Sequence, residues 1–298
     1  MNASHADLCG LLNLNKPTGV TSRAVVDRVA RLLRRVKVGH AGTLDPLAWG
    51  VLVVCVGPAT RLIEYVQRMP KLYTTVIRLG ARSDTNDADG TVVEAAGAVA
   101  PGIDAVRAAV TTQVGTFLQK PPEYSALKVG GHRAYDLARA GKVVDLAPRP
   151  VTIHSIDVRA YEWPRLTLDV HCEGGTYIRA IARDVGEALG CGGLVEVLAR
   201  PRIGPFWIHD AIDPETLTAE NLARRLLPAA EAVTELPSVW LTAEQVADVA
   251  RGRPVTPVGP ERFNGEVALF DPDGTLAAVG AVDPATGRVA PRRVLVRS

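Results

Sequence analysis

Gly39-His40-Ala41-Gly42-Thr43-Leu44-Asp45-Pro46-Leu47-Ala48-Trp49-Gly50, followed directly by Val51-Leu52-Val53-Val54-Cys55-Val56, is the stretch from which the architecture of this chain is read. The first part, with Gly, Thr, Asp and Pro, reads as a loop; the second, an unbroken apolar run, reads as a strand buried on both faces. Loops held between rigid elements are where chemistry concentrates. A single carboxylate, Asp45, stands in this one, and Pro46 biases its backbone towards an extended conformation that gives the side chain a defined direction, as a nucleophile needs. The same dipeptide is also common in Asx turns, so a turn-forming Asp45 is the other reading.

Upstream, Leu11 to Leu14 reads as a short strand running into the turn-prone Asn15-Lys16-Pro17-Thr18-Gly19. Thr21 or Ser22 then caps a helix in which Val25, Val26, Val29, Leu32, Leu33 and Val36 recur at helical spacing, with Arg28, Arg31 and Arg35 along another side. Downstream, Thr74 to Leu79 reads as a strand, the Asp-rich Ala81 to Gly90 as a loop, and Asp104 to Val114 as a short helix. Val151 to Tyr161 and Leu166 to Cys172 alternate as paired strands do, and Thr176 to Leu189 has helical periodicity. Strands and helices interleave without a regular βαβ rhythm, which predicts an α+β fold. Around Leu227 to Pro237 the composition shifts to Ala, Glu and Pro, and from Val239 short apolar stretches alternate with Gly and Pro turns. This predicts a domain over 1–235 and a small, mainly β domain over 236–298.

At 298 residues the chain has room for roughly two domains. Its 47% hydrophobic and 22% charged residues exclude wholesale disorder. The longest apolar run is far short of the roughly 20 residues that span a bilayer, and Asp7 stands where a signal peptide would carry basic residues, so a cytoplasmic protein is expected. Cys9, Cys55, Cys172 and Cys191 are widely spaced, with no zinc-ligand pattern, and read as reduced thiols. The whole chain has 34 Lys and Arg against 32 Asp and Glu, but residues 1–80 hold 11 against 4. A basic first third on a nearly neutral molecule fits either a polyanion-binding face or a solvated helix surface.

The segment around Asp45 resembles the catalytic signature of the TruB family of tRNA pseudouridine synthases, a GH-x-G-x-LDP-x-A-x-G-x-L pattern. Four further segments resemble that family in the same order. They are Leu12-Asn13-Leu14-Asn15-Lys16-Pro17-Thr18-Gly19 with Ser22; Lys71-x-Tyr73 with Leu79-Gly80 and the Asp-rich loop closing at Gly90; Pro121-Pro122-x-Tyr124-Ser125-Ala126-Leu127-Lys128 with Gly131, Arg133, Ala134 and Tyr135; and Gly175-Thr176-Tyr177-Ile178-Arg179. Any one alone is weak; five in order are not.

The resemblance implies a pseudouridine synthase fold, a mixed and largely antiparallel sheet flanked by helices, with a PUA-like C-terminal RNA-binding domain. It implies isomerisation of uridine to pseudouridine in the TΨC loop of tRNA, at tRNA position 55, with no cofactor and no metal. By that resemblance Asp45 is the essential aspartate, Arg179 its partner and Tyr73 the aromatic residue that stacks on the flipped base and serves proton transfer. His40 fills the space the nucleotide vacates, Tyr177 packs under the uracil, Lys16 supports the catalytic loop, and Lys128 and Arg133 meet phosphates. Read without the resemblance, a strand tyrosine such as Tyr73 is more often plain core, and the other readings are an exposed helix cation near Asp184 for Arg179 and solvated charges for Lys128 and Arg133. The implied partner is the T-arm of tRNA, bound by a monomer without membrane or guide RNA. A chaperone of tRNA folding that binds the elbow independently of catalysis is the alternative. A glycoside hydrolase fits less well, because that chemistry usually needs two carboxylates. Two departures from the family stand out: Trp49 in place of a small polar residue, and Glu173-Gly174 before Gly175.

Overall fold

The computed structural model describes residues 8–124, 128–129, 132–133, 146–257 and 263–296, with the side chains of the two short middle pieces left out. Among the described residues a nine-stranded sheet organises the fold. Its edge begins with β1 (Gly10–Lys16), which pairs antiparallel with β3 (Trp49–Val56); the short β2 (Val38–His40) pairs with the same strand. β4 (Lys71–Leu79) pairs antiparallel with β11 (Arg165–Cys172), which continues to β10 (Arg149–Glu162) and β7 (Gly115–Gln119). Between β3 and β4 lies β12 (Gly193–Ile203), parallel to the first and antiparallel to the second, and β13 (Phe206–Trp207) pairs with its end; two small hairpins, β5 (Ala81–Ser83) with β6 (Val92–Glu94) and β8 (Lys128–Val129) with β9 (His132–Arg133), stand outside this sheet. The sheet is therefore mixed and largely antiparallel, and the α+β class expected from the sequence is what the chain adopts.

The elements follow from the local sequence. Helix α1 (Ser22–Leu33) is capped by Thr21, whose hydroxyl accepts the amide of Ala24 at 3.1 Å, and it buries Val25, Val26, Val29 and Leu33 against Leu12, Leu14, Leu52 and Val54. Its basic side is partly used inside the chain, because Arg28 donates to the carbonyls of Pro214 and Glu215 and pairs with the Glu215 carboxylate at 2.9 Å. Helix α2 (Ile63–Arg68) leads into β4; α3 (Ile103–Thr111) and α4 (Ile178–Ala188) cover the face of β4 and β11 around Tyr73, Ile77, Leu168 and Val170. The paired strands foreseen at 151–161 and 166–172 meet as β10 and β11, with Ile153 opposite Cys172. Cys55, Cys172 and Cys191 are buried, Cys9 is half-buried, and all four are free.

A separate four-stranded sheet is built from β14 (Ser238–Trp240), β15 (Glu266–Phe270), β16 (Leu276–Val282) and β17 (Val289–Val294), with α5 (Ala243–Ala250) beside it. It meets α2 through Tyr65, which donates to Glu266 at 2.9 Å, and through Arg293, which pairs with Glu64 at 2.5 Å. No helix among the described residues is long and apolar enough to cross a membrane.

Candidate active site

Three chain segments distant in sequence converge on one cleft. The 39–50 loop enters between α1 and β3, held at both ends. Ser22, buried at the start of α1, accepts the Leu44 amide at 2.8 Å and donates to the Leu44 carbonyl at 2.9 Å. Lys16, fully buried, donates to the carbonyls of Pro17 at 2.9 Å, Val20 at 2.7 Å and Pro46 at 3.5 Å. Burial pulls its pKa down to about 8, with the Asp45 charge opposing that fall. At the far end of the loop Gly50 has a φ of 116°, and a Cβ there would lie 2.5 Å from the Arg200 carbonyl, so only glycine lets β3 approach β12 this closely.

The second segment is β4. Its alternation buries Lys71, Tyr73, Thr75, Ile77 and Leu79 on one face, which sends the Tyr73 ring to the floor of the cleft. The third is the turn into α4. Glu173 and Gly174 lead into it, and a Cβ at Gly174 would lie 2.1 Å from the Gln67 carbonyl, so the packing here requires glycine at 174. Tyr177 precedes the helix. The Gln119 amide holds the Tyr177 backbone by accepting its N–H at 2.9 Å and donating to its carbonyl at 3.2 Å.

Arg179 sits in the first turn of α4, where a cation faces the positive end of the helix, and its surroundings answer that cost with oxygen. Its Nε reaches Asp45 Oδ2 at 2.9 Å and its Nη2 reaches Asp45 Oδ1 at 3.2 Å, a fork-to-fork pair. The remaining N–H groups go to the carbonyls of Thr85 and Tyr124, both at 2.9 Å, and to Asp87 Oδ2 at 3.3 Å. Arg179 and Asp87 are buried, whereas the Asp45 side chain is 31% exposed and faces the cleft. Burial pushes the Asp87 pKa up, while the Thr85 hydroxyl and Arg179 oppose it. Burial also pushes the Tyr73 phenol up, against the neighbouring Arg200.

The cleft has a volume of about 310 Å³, and Asp45, Tyr73, Tyr177 and Arg179 all line it. That is the small end of the range for ligand clefts. Lys16 lies behind the loop, its buried ammonium on the Pro17, Val20 and Pro46 carbonyls. His40 ends β2, half-buried and outside the cleft lining. The side chains of Lys128 and Arg133 lie outside the described residues. Trp49 is 39% exposed at the start of β3; nothing in the structure explains why a ring stands there.

Sequence reasoning missed Arg200, Asp87 and Gln119. Asp87 was one of three aspartates in a loop read only as Asp-rich, and spacing alone does not say which of them is buried. Arg200 had no signal at all, because a cation inside a core runs against the hydrophobic pattern.

Comparison with known proteins gives the family of the chain. Residues 30–178 match the model of the TruB family pseudouridylate synthase N-terminal domain, and residues 237–295 match the C-terminal model of pseudouridine synthase II TruB. The chain is 41% identical over 293 residues to tRNA pseudouridine synthase B of Xanthomonas campestris pv. campestris strain B100, covering 96% of this chain and 94% of that one. This chain belongs to the TruB family. To the protein of the same name from Arthrobacter sp. strain FB24 it is 43% identical over 285 residues. Among solved structures, the chain matched in a Cbf5-Nop10-Gar1 complex superposes with a TM-score of 0.74 at 25% identity, over 99% of this chain and 86% of that one. A Cbf5 from an archaeal box H/ACA sRNP Nop10-Cbf5 complex gives a TM-score of 0.73 at 24% identity, a likeness of fold.

Proposed function

We propose that this TruB-family chain is a tRNA pseudouridine synthase that acts on the TΨC loop at position 55, with Asp45 as its one essential carboxylate. The observation that carries the reading is the two-point Arg179 pair on Asp45 at the mouth of a cleft floored by Tyr73. The guanidinium has no proton to yield, and its two-point hold fixes the direction of the carboxylate. The target base leaves the RNA stack, which costs a few kcal/mol, and the rings of Tyr73 and Tyr177 offer apolar faces in return. His40, beside the loop, fits the place the nucleotide vacates, and Lys128 and Arg133 fit phosphate contacts.

In the same reading residues 1–235 form the catalytic unit and residues 236–298 a PUA-like module that adds an auxiliary contact to the arm. The protein works as a monomer in the cytoplasm, without a guide RNA. A hairpin loop read by shape and by its splayed bases suits an enzyme that serves many tRNAs. The alternative of a folding chaperone shares the RNA-binding surface and needs none of the Asp45–Arg179–Tyr73 geometry; that the three side chains meet in one cleft favours the enzyme.

The test is Asp45→Asn assayed on an unmodified T-arm transcript. Pseudouridine formation is expected to vanish while the RNA dissociation constant stays within several-fold of wild type. Conversion at the wild-type rate by the Asn variant would overturn the catalytic assignment.

A further inference from the structure

Arg200 is the largest fully buried side chain among the described residues. A guanidinium cannot shed its proton, so its charge stays inside the protein, where an unpaired ion is costly. Among the described residues it has no carboxylate within ion-pair distance. Its contacts are oxygens of another kind: Nε donates to the Val51 carbonyl at 2.9 Å, Nη2 to the Gly42 carbonyl at 3.2 Å, and Nη1 to the Thr43 carbonyl at 3.4 Å and to Tyr73 Oη at 3.5 Å. The guanidinium carbon lies 6.0 Å from the centroid of the Tyr73 ring.

These partners are not scattered. Val51 lies near the start of β3, Gly42 and Thr43 lie just ahead of Asp45, and Tyr73 floors the cleft that Arg200 itself lines. We propose that Arg200 is a positioning residue for the isomerisation, one rigid fork that fixes the Asp45 loop and the Tyr73 hydroxyl relative to each other. The inference rests on the catalytic reading of Asp45 and Tyr73 given above.

Two structural features aim the side chain. The register of β12 against β4 shifts between Ala199 and Arg202, and an irregularity of this kind re-aims a side chain at a strand's working end. Gly50 lets β3 lie against the Arg200 backbone, which brings the Val51 carbonyl to its Nε. The planar fork matters because its donors serve separate oxygens lying in different directions. A lysine would bring the same charge as a point and could not satisfy all of them. The 3.5 Å contact to Tyr73 is long, as such contacts often are before substrate is bound. The cation also works against the upward push that burial gives the phenol, in the direction that helps it exchange protons.

The experiment uses the full chain and an unmodified T-arm hairpin. Arg200→Lys is expected to lower the single-turnover rate at saturating RNA by at least about tenfold, a barrier increase of about 1.4 kcal/mol, while the hairpin dissociation constant changes less than about threefold. In parallel, ¹⁵N-arginine spectra of wild type and Tyr73→Phe are compared. Loss of the phenol oxygen is expected to shift the Arg200 Nη signals and speed their exchange with solvent, while the Nε signal held by Val51 stays in place. A merely structural arginine would leave the Nη signals unmoved. Wild-type turnover by Arg200→Lys, or unchanged Nη signals in Tyr73→Phe, overturns the proposal. If Arg200→Lys does not fold, the spectra alone decide. Should wild type itself fail to convert the hairpin, the proposed function fails first, and the spectra still report whether Arg200 holds Tyr73.

Discussion

Replacing Arg179 by methionine separates the structural share of the buried charges from the catalytic one. The substitution keeps a long side chain but removes the guanidinium that now reaches Asp45, Asp87, Thr85 and Tyr124, leaving Asp87 with the Thr85 hydroxyl and the Asp89 amide on its other oxygen and no countercharge among the described residues. Asp45 is 31% exposed and can turn to water, so its lost pair belongs to the surface range of about 0–1 kcal/mol. Asp87 is 3% exposed and has no such recourse. Stranding one partner of a buried pair typically costs about 3–5 kcal/mol, a large fraction of the roughly 5–15 kcal/mol that holds a protein folded. Burial already raises the Asp87 pKa and Arg179 opposes that rise, so removing Arg179 sends it higher still. Between the unfolded value near 4 and the raised folded value, the native state then holds a proton that the unfolded state has lost, so stability falls as pH rises through that window. The penalty is therefore largest at neutral pH and shrinks on acidification. Urea unfolding at pH 7 and pH 5 measures it, with Asp45→Asn as the comparison and Arg179→Met/Asp87→Asn as the rescue. A loss that is equal at both pH values and unrelieved by Asp87→Asn would show that Asp87 carries no stranded charge, and the reasoning would fail.

Ser22→Ala removes one hydroxyl that satisfies both the amide and the carbonyl of Leu44, leaving two buried groups unmet at about 1–3 kcal/mol each. Stability measured by urea unfolding is expected to drop accordingly, and turnover to fall more than RNA affinity; unaltered turnover would show that the loop does not need this clamp. Gly174→Ala places a methyl group 2.1 Å from the Gln67 carbonyl, so the turn ahead of Tyr177 must move. A reduced thermal midpoint and slower conversion are expected, and an alanine variant indistinguishable from wild type would contradict the packing. For the basic first third, Arg31, Arg34, Arg35 and Lys37 are exposed, whereas Arg28 is occupied by Glu215. If these four meet phosphates, the log–log slope of RNA affinity against salt is about −3 to −4, and a flat response would remove this face as the docking surface.

Much of the catalytic scaffold was legible because it obeys short periods. The alternation of β10 and β11 and the amphipathic spacing of α1 each state locally which face is buried, and each formed nearly where expected. Element ends moved by a few residues where backbone pairing extends past the pattern; β4 begins at Lys71, not at Thr74, because Lys71 pairs with Cys172. Gly193–Ile203 showed no strand pattern at all. Glu196, Arg200 and Arg202 interrupt its apolar residues, and two register shifts break the alternation that would have betrayed it. Yet this strand lies between β3 and β4 and carries Arg200 into the cleft.

By itself, the sequence determined the chemistry available: one carboxylate on a glycine- and proline-shaped loop, a tyrosine on an alternating strand, an arginine opening a helix, and the order of motifs that marks a TruB protein. The tertiary structure alone decided which charges are buried together. It selected Asp87 from three neighbouring aspartates and placed the Arg200 guanidinium beside the Tyr73 hydroxyl. The reason is physical. Periodicity records a residue's preference for water or core, whereas a buried ion is tolerated only where several distant backbone segments bring their oxygens to it, and that convergence exists only once the sheet has closed around them.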